Sequence, residues 1–297
     1  MNHRQLVRRA INHQHSPVPP KGEICICPGF IERFLGRPYQ GLADKKETVI
    51  ALGLDLVVVT ADLAFPAGLK PEPAIREIEW WRQRTDLYIL ALVTGPFRGG
   101  LDRIPFEQYC RLTLKAPQEV LELSRQAAQD LVRLAKSCVR AGADGVIIAD
   151  DIACNRHTLL SPPILRKIIF PFLQQSLKSI RQTGATVFYH SDGNINSVLA
   201  DLVAMGFEGI HSLQPSAGMR MDEIKKKYGR KLTLWGNIEF AAYPRKTAPE
   251  LSARAVKIVS DTAAGGGFIF GSSTGLVDDT PVDAVVGVYE KLREYSA

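Results

Sequence analysis

Residues 143–151 read ADGVIIADD, and residues 187–195 read VFYHSDGNI. Each is a short apolar run without polar alternation that passes abruptly into charged and polar residues. Such a run fits a strand buried on both faces, with its chemistry gathered at the carboxyl end. Working outward, the same unit recurs along the chain. Strand-like runs are Glu23 to Cys27, Asp55 to Val59, Leu87 to Val93, Gly145 to Ala149, Thr186 to Tyr189, Gly209 to His211, Lys231 to Trp235 and Gly267 to Phe270. Segments of helical period separate them: Pro117 to Ala141, Pro163 to Gln182, Ile195 to Met205, Met221 to Tyr228, Pro249 to Ala263 and Val282 to Tyr295. Eight strands alternating with helices specify an α/β fold, a (β/α)8 TIM barrel in one domain over residues 1–297, with an N-terminal helical extension to about residue 20. A doubly wound open sheet is the alternative.

Both architectures bind ligands at the carboxyl ends of their strands. Thr60 and Asp62 end the second run, Thr94 and Arg98 the third, Asp150 and Asp151 the fourth, and His190, Asp192 and Asn194 the fifth. The sixth runs into His211 and Gln214, the seventh into Asn237 and Glu239, and the eighth into Ser272, Ser273 and Thr274. Any one of these could simply cap a helix or close a turn, as Asp192-Gly193 would. Two of only six histidines and several carboxylates at successive strand ends are more than scattered capping supplies. Asp150 and Asp151, as strand neighbours, face opposite sides, so one serves the mouth and the other the structure. The run AGGG at 264–267 precedes its strand and reads as a tight turn.

His190-x-Asp192 puts an imidazole and a carboxylate on one side of the rim. With His211 or an aspartate of the fourth strand they could ligate zinc with one position left open. Without metal, the same residues could work as acid and base. The expected catalytic set is Asp150, Asp151, His190, Asp192 and His211, with His190 and Asp192 as the metal ligands. Arg98, Asn194, Gln214, Asn237, Glu239 and Ser272 are the expected substrate contacts. No H-E-x-x-H, no G-x-G-x-x-G after a strand and no G-x-S-x-G occurs.

With 45% apolar and 23% charged residues and a mean hydropathy of -0.03, the 297-residue chain is globular over most of its length. No run is long and apolar enough to span a bilayer, and the charged N-terminus does not read as a signal peptide, so a cytoplasmic protein without membrane contact is expected. The net charge of +6 is spread thinly. Its densest cluster, Lys225 to Lys227 with Arg230 and Lys231, suits a helix C-terminus, and no interleaved aromatics suggest nucleic acid. Five cysteines without a CxxC pair fit reduced thiols.

The blocks ADGVIIADDIACNRHTLLSP, VFYHSDGNI, GIHSLQPSAGM, KLTLWGNIE and GGGFIFGSS, with the opening RQLVRRAINHQHSPVP, resemble the uroporphyrinogen decarboxylase superfamily over nearly the whole chain. That superfamily contains porphyrin-pathway decarboxylases and cobamide-dependent methyltransferases. The Arg-rich segment with which the decarboxylases grip substrate carboxylates is replaced here by GEICICPGFIERFLG. The coenzyme M methyltransferases bind zinc through H-x-C-G-N and a later cysteine. Here the first motif reads His190-Ser191-Asp192-Gly193-Asn194, and Ser272 or Ser273 stands near the second. The resemblance therefore implies a methyltransferase acting on a small O- or N-methylated donor, with zinc or a carboxylate acid assisting and a separate corrinoid protein as partner. A metal-free lyase acting on a carboxylated substrate is the alternative, and a non-catalytic ligand-binding barrel the third reading.

Overall fold

The computed structural model describes residues 1–16, 18–61, 71–242 and 247–294. Seven strands make one sheet in sequence order with every neighbouring pair parallel: β1 (Leu56–Thr60), β2 (Tyr88–Thr94), β3 (Gly145–Ala149), β4 (Thr186–Ser191), β5 (Gly209–Ser212), β6 (Thr233–Ile238) and β7 (Phe268–Ser272). Parallel neighbours need crossovers. Helices supply them, among them Glu72–Arg84, Pro117–Arg140, Phe170–Arg181, Leu199–Met205, Met221–Tyr228 and Ala248–Thr262. Among the described residues, no helix is long and apolar enough to cross a membrane.

Alternate residues of the strands other than β5 enter two different apolar layers. Val57, Val59, Ile89, Ala91, Val93, Val146, Ile148, Val187 and Tyr189 pack outward against the helices. Leu56, Val58, Leu90, Leu92, Ile147, Ala149, Phe188, Trp235 and Ile269 meet on the other face. That inner layer unites the first strand with the last, and Val7, Ala10 and Ile11 of the helix His3–Ile11 join it. Burial on both faces explains why the strands read as unbroken apolar runs.

The first expected strand, Glu23 to Cys27, is not one. Residues 20–27 touch β7 and the loop after it through isolated bridges, Lys21 with Phe270 and Ile26 with Leu276, and meet the start of β1 where Asp55 N donates to Lys21 O at 2.7 Å. The ladder is interrupted at Ser272 because its N–H, 3.1 Å from Glu23 Oε1, is taken by a side-chain carboxylate where a strand would offer a carbonyl.

Other boundaries also move. β4 to β7 run one to three residues past the expected ends, so His190, Asn237 and Ser272 join His211 as strand residues. The stretch Pro163 to Gln182 contains a π-helical turn, Leu165–Ile169, before Phe170–Arg181. Pro171 explains it, since proline lacks an N–H and crowds the preceding turn, and the wider turn, closed by Phe170 N to Leu165 O, absorbs the mismatch. The helix expected from Ile195 begins at Leu199. The cysteines are free thiols.

Candidate active site

His190 near the end of β4 and His211 in β5 are register partners. Their Nδ1 atoms lie 2.9 Å apart, and His211 Nε2 lies 3.1 Å from the Ser272 carbonyl on β7. A carbonyl can only accept, so His211 carries its proton on Nε2. Burial first, then the neighbouring His190, pushes the His211 pKa well below the ordinary imidazole value, so the ring is neutral. Its Nδ1 is then an acceptor, His190 Nδ1 must be the donor, and the His190 Nε2 lone pair is left bare. Trp235 packs edge-on against His211 with ring centroids 4.6 Å apart and holds the ring from the side.

The bare Nε2 faces Asp151, whose Oδ1 is 3.5 Å away. Asp151 reaches this position from a backbone at φ 25°, which turns the chain sharply as it leaves β3. Its Oδ1 also accepts the Asp192 N–H at 3.2 Å. Asp192 presents a buried Oδ1 with no hydrogen-bond partner. Gly193, at φ 81°, makes the turn beneath it; a Cβ there would stand 2.6 Å from the Cys154 carbonyl oxygen. Ligand atoms of Asp151, His190 and Asp192 all fall within 4.8 Å of one another. One imidazole nitrogen and two carboxylates, one of them with an orphaned buried oxygen, fit a divalent cation such as zinc with room for a further ligand.

The remaining expected residues lie around or apart from this cluster. Asp150 turns away from it, accepting the Arg98 N–H at 2.9 Å at the start of the helix Pro96–Leu101; burial raises its pKa well above the ordinary carboxyl value. The Arg98 side chain pairs with Asp102 at 2.8 Å. Gln214 Oε1 accepts the Gly193 N–H at 3.1 Å, and Gln214 continues through Ser216 to Glu239, so these rim residues form one chain beside Asp192. Asn194 closes a local turn by accepting the Asn196 N–H. Asn237 donates to Leu213 O at 2.7 Å and faces a separate cavity with Arg254, Lys257 and Thr262. The Ser272 hydroxyl points to Glu23, and only its carbonyl addresses His211. Asp62 lies outside the described residues.

Two supporting residues gave no signal in the sequence. Ser191 accepts the Ile152 N–H at 3.1 Å and ties the Asp151 turn to β4. Glu23 is fully buried with its pKa pushed up to about 7 by that burial, against the opposing pull of donors Ser272 and Tyr289. EICIC reads as a strand, and nothing in the sequence marks Glu23 as a buried partner of Ser272.

Residues 75–295 match the uroporphyrinogen decarboxylase (URO-D) family, and the chain belongs to it. It is 28% identical over 254 residues to a methylcobamide:CoM methyltransferase, MtaA, from Methanosarcina barkeri, a match covering 82% of this chain and 69% of that protein. This likeness supports an enzyme. A methyltransferase from Methanosarcina mazei superposes with a TM-score of 0.84 at 19% identity, covering 99% of each chain. The putative vitamin-B12 independent methionine synthase of Listeria monocytogenes shares the fold more loosely, with a TM-score of 0.58 at 13% identity over 95% of this chain and 98% of that one.

Proposed function

We propose that the protein is a corrinoid-dependent methyltransferase that moves a methyl group between a small O- or N-methylated compound and the cobalt of a corrinoid carried by a partner protein. The observation that carries this reading is the bare His190 Nε2 set between Asp151 and the unpartnered Asp192 Oδ1, in a chain that resembles a methylcobamide:CoM methyltransferase over most of its length. His190 through Nε2 and Asp151 and Asp192 through carboxylate oxygens would hold zinc. When bound, zinc supplies Lewis-acid stabilisation of the charge that develops on a departing oxygen or nitrogen.

The chain's own residues support the reading in other ways. Asp151, more exposed than His190, stands where a donor would enter. The chain Gln214–Ser216–Glu239 beside Asp192 offers polar groups to orient that donor, and Asn194 lies on the same turn. Asp192 occupies the place where the coenzyme M enzymes carry a cysteine, so the ligand set is harder and richer in oxygen and does not favour activating a thiol. We read residues 1–297 as one (β/α)8 barrel domain in which residues 20–27 take the eighth position.

The test is methylation of cob(I)alamin by a panel of methoxylated and N-methylated donors, run beside a uroporphyrinogen assay. Methyl transfer from one of the donors is expected. Coproporphyrinogen formation without methyl transfer would replace this reading by the lyase.

A further inference from the structure

The two imidazoles have a second proton arrangement open to them. If His211 carried its proton on Nδ1, it would donate to His190 Nδ1, and the His190 proton would then sit on Nε2, aimed at the Asp151 carboxylate 3.5 Å away. That arrangement suits a metal-free protein electrostatically, since two carboxylates surround Nε2, but it removes the lone pair that could take a metal. The Ser272 carbonyl decides between the two, because only the Nε2–H form of His211 satisfies it.

What holds that carbonyl is therefore coupled to the metal ligand. The peptide after Ser272 is fixed on one side by the Ser273 N–H, which donates to Ile238 O at 3.0 Å. On the other side stands Glu23, which receives both the N–H and the hydroxyl of Ser272. The same hydroxyl accepts the Gly275 N–H at 2.7 Å, and Tyr289 donates to Glu23 Oε1, the oxygen that also accepts the Ser272 N–H. Ser272 is held at three points by groups fully withdrawn from water.

We propose that Glu23 is a positioning residue: by clamping Ser272 it keeps the carbonyl on His211 Nε2, and so keeps the His190 Nε2 lone pair free for a metal. Glu23 touches neither histidine; it acts through Ser272 and His211. This inference rests on the reading of His190 as a metal ligand.

Histidine-selective 15N NMR on metal-free protein reads the protonated nitrogen of each ring directly, with His190→Asn assigning the signals. Zinc affinity, by competition with a chromophoric chelator, is the second readout. In the wild type, His190 should be protonated on Nδ1 alone. In Glu23→Gln, shown to be folded by its circular dichroism, a population protonated on Nε2 should appear, and zinc affinity should fall about tenfold, the low end of what loss of an outer partner costs a metal ligand. Ser272→Ala, which deletes one contact of Glu23 while keeping the carbonyl, is read in the same way and should shift both readouts in the same direction. A folded Glu23→Gln, or Ser272→Ala if the first variant does not fold, with wild-type tautomers and wild-type zinc affinity would overturn the role of Glu23 alone. A wild type already protonated on His190 Nε2 would instead overturn the ligand reading on which it depends.

Discussion

His190 Nδ1 and His211 Nδ1 face each other at 2.9 Å, and the Ser272 carbonyl behind His211 leaves the pair one proton arrangement that satisfies all three groups. The relation explains why two histidines in adjacent strands do different work. His211 is an interior residue that orients; His190 is the residue with a free nitrogen at the mouth. Metal-bound imidazoles generally depend on such a partner on the other ring nitrogen.

Replacing His211 by leucine should consequently weaken zinc binding by about ten- to a hundredfold, although His211 makes no contact with the metal position. Chelator competition at neutral pH measures it. Unchanged affinity in a folded His211→Leu would show that the imidazole pair is not coupled to the site.

The adjacent aspartates should separate cleanly. Asp150→Ala removes a buried acceptor at a helix start and leaves the Arg98 N–H without its partner, which should cost about 1–3 kcal/mol in urea unfolding while leaving zinc affinity within about twofold. Asp151→Asn should do the reverse, lowering zinc affinity at least about tenfold with little change in stability. Interchanged results would mean that the wrong carboxylate has been placed at the mouth.

Glu23 gives a pH dependence with a definite sign. Its folded pKa, about 7, lies above the ordinary 4.5, so the folded protein keeps a proton that the unfolded chain releases between those values. The stability associated with that proton is complete below the window and is lost as pH rises through it, by up to about 3 kcal/mol. Glu23→Gln lacks the loss, so it should gain on the wild type by about that amount between pH 5 and pH 8 in urea unfolding. A difference that stays flat across this range would place the Glu23 pKa at its ordinary value.

The fold was legible in the sequence wherever a strand is apolar on both faces, as at Gly145–Ala149, whose bounds agree residue for residue. It was less legible where a polar side chain belongs to the ladder. His190 and Ser272 look like loop residues because strand ends are judged by apolar character, yet both are paired within the sheet. The first run, Glu23 to Cys27, failed for a related reason: the Glu23 carboxylate does the work of a backbone acceptor, and no local pattern announces that substitution. The gathering of His190, Asp151 and Asp192 followed from their positions after successive strands. Which aspartate faces inward, and which histidine nitrogen is bare, depends on register and on partners more than forty residues away, and neither is written in local sequence.

The most direct test of the central claim is metal analysis of the protein purified without chelator or affinity tag, with His190→Ala alongside. About one zinc per chain is predicted in the wild type, and loss or strong weakening of binding in the variant. Wild-type protein that contains no metal and still transfers methyl groups at full rate would contradict it.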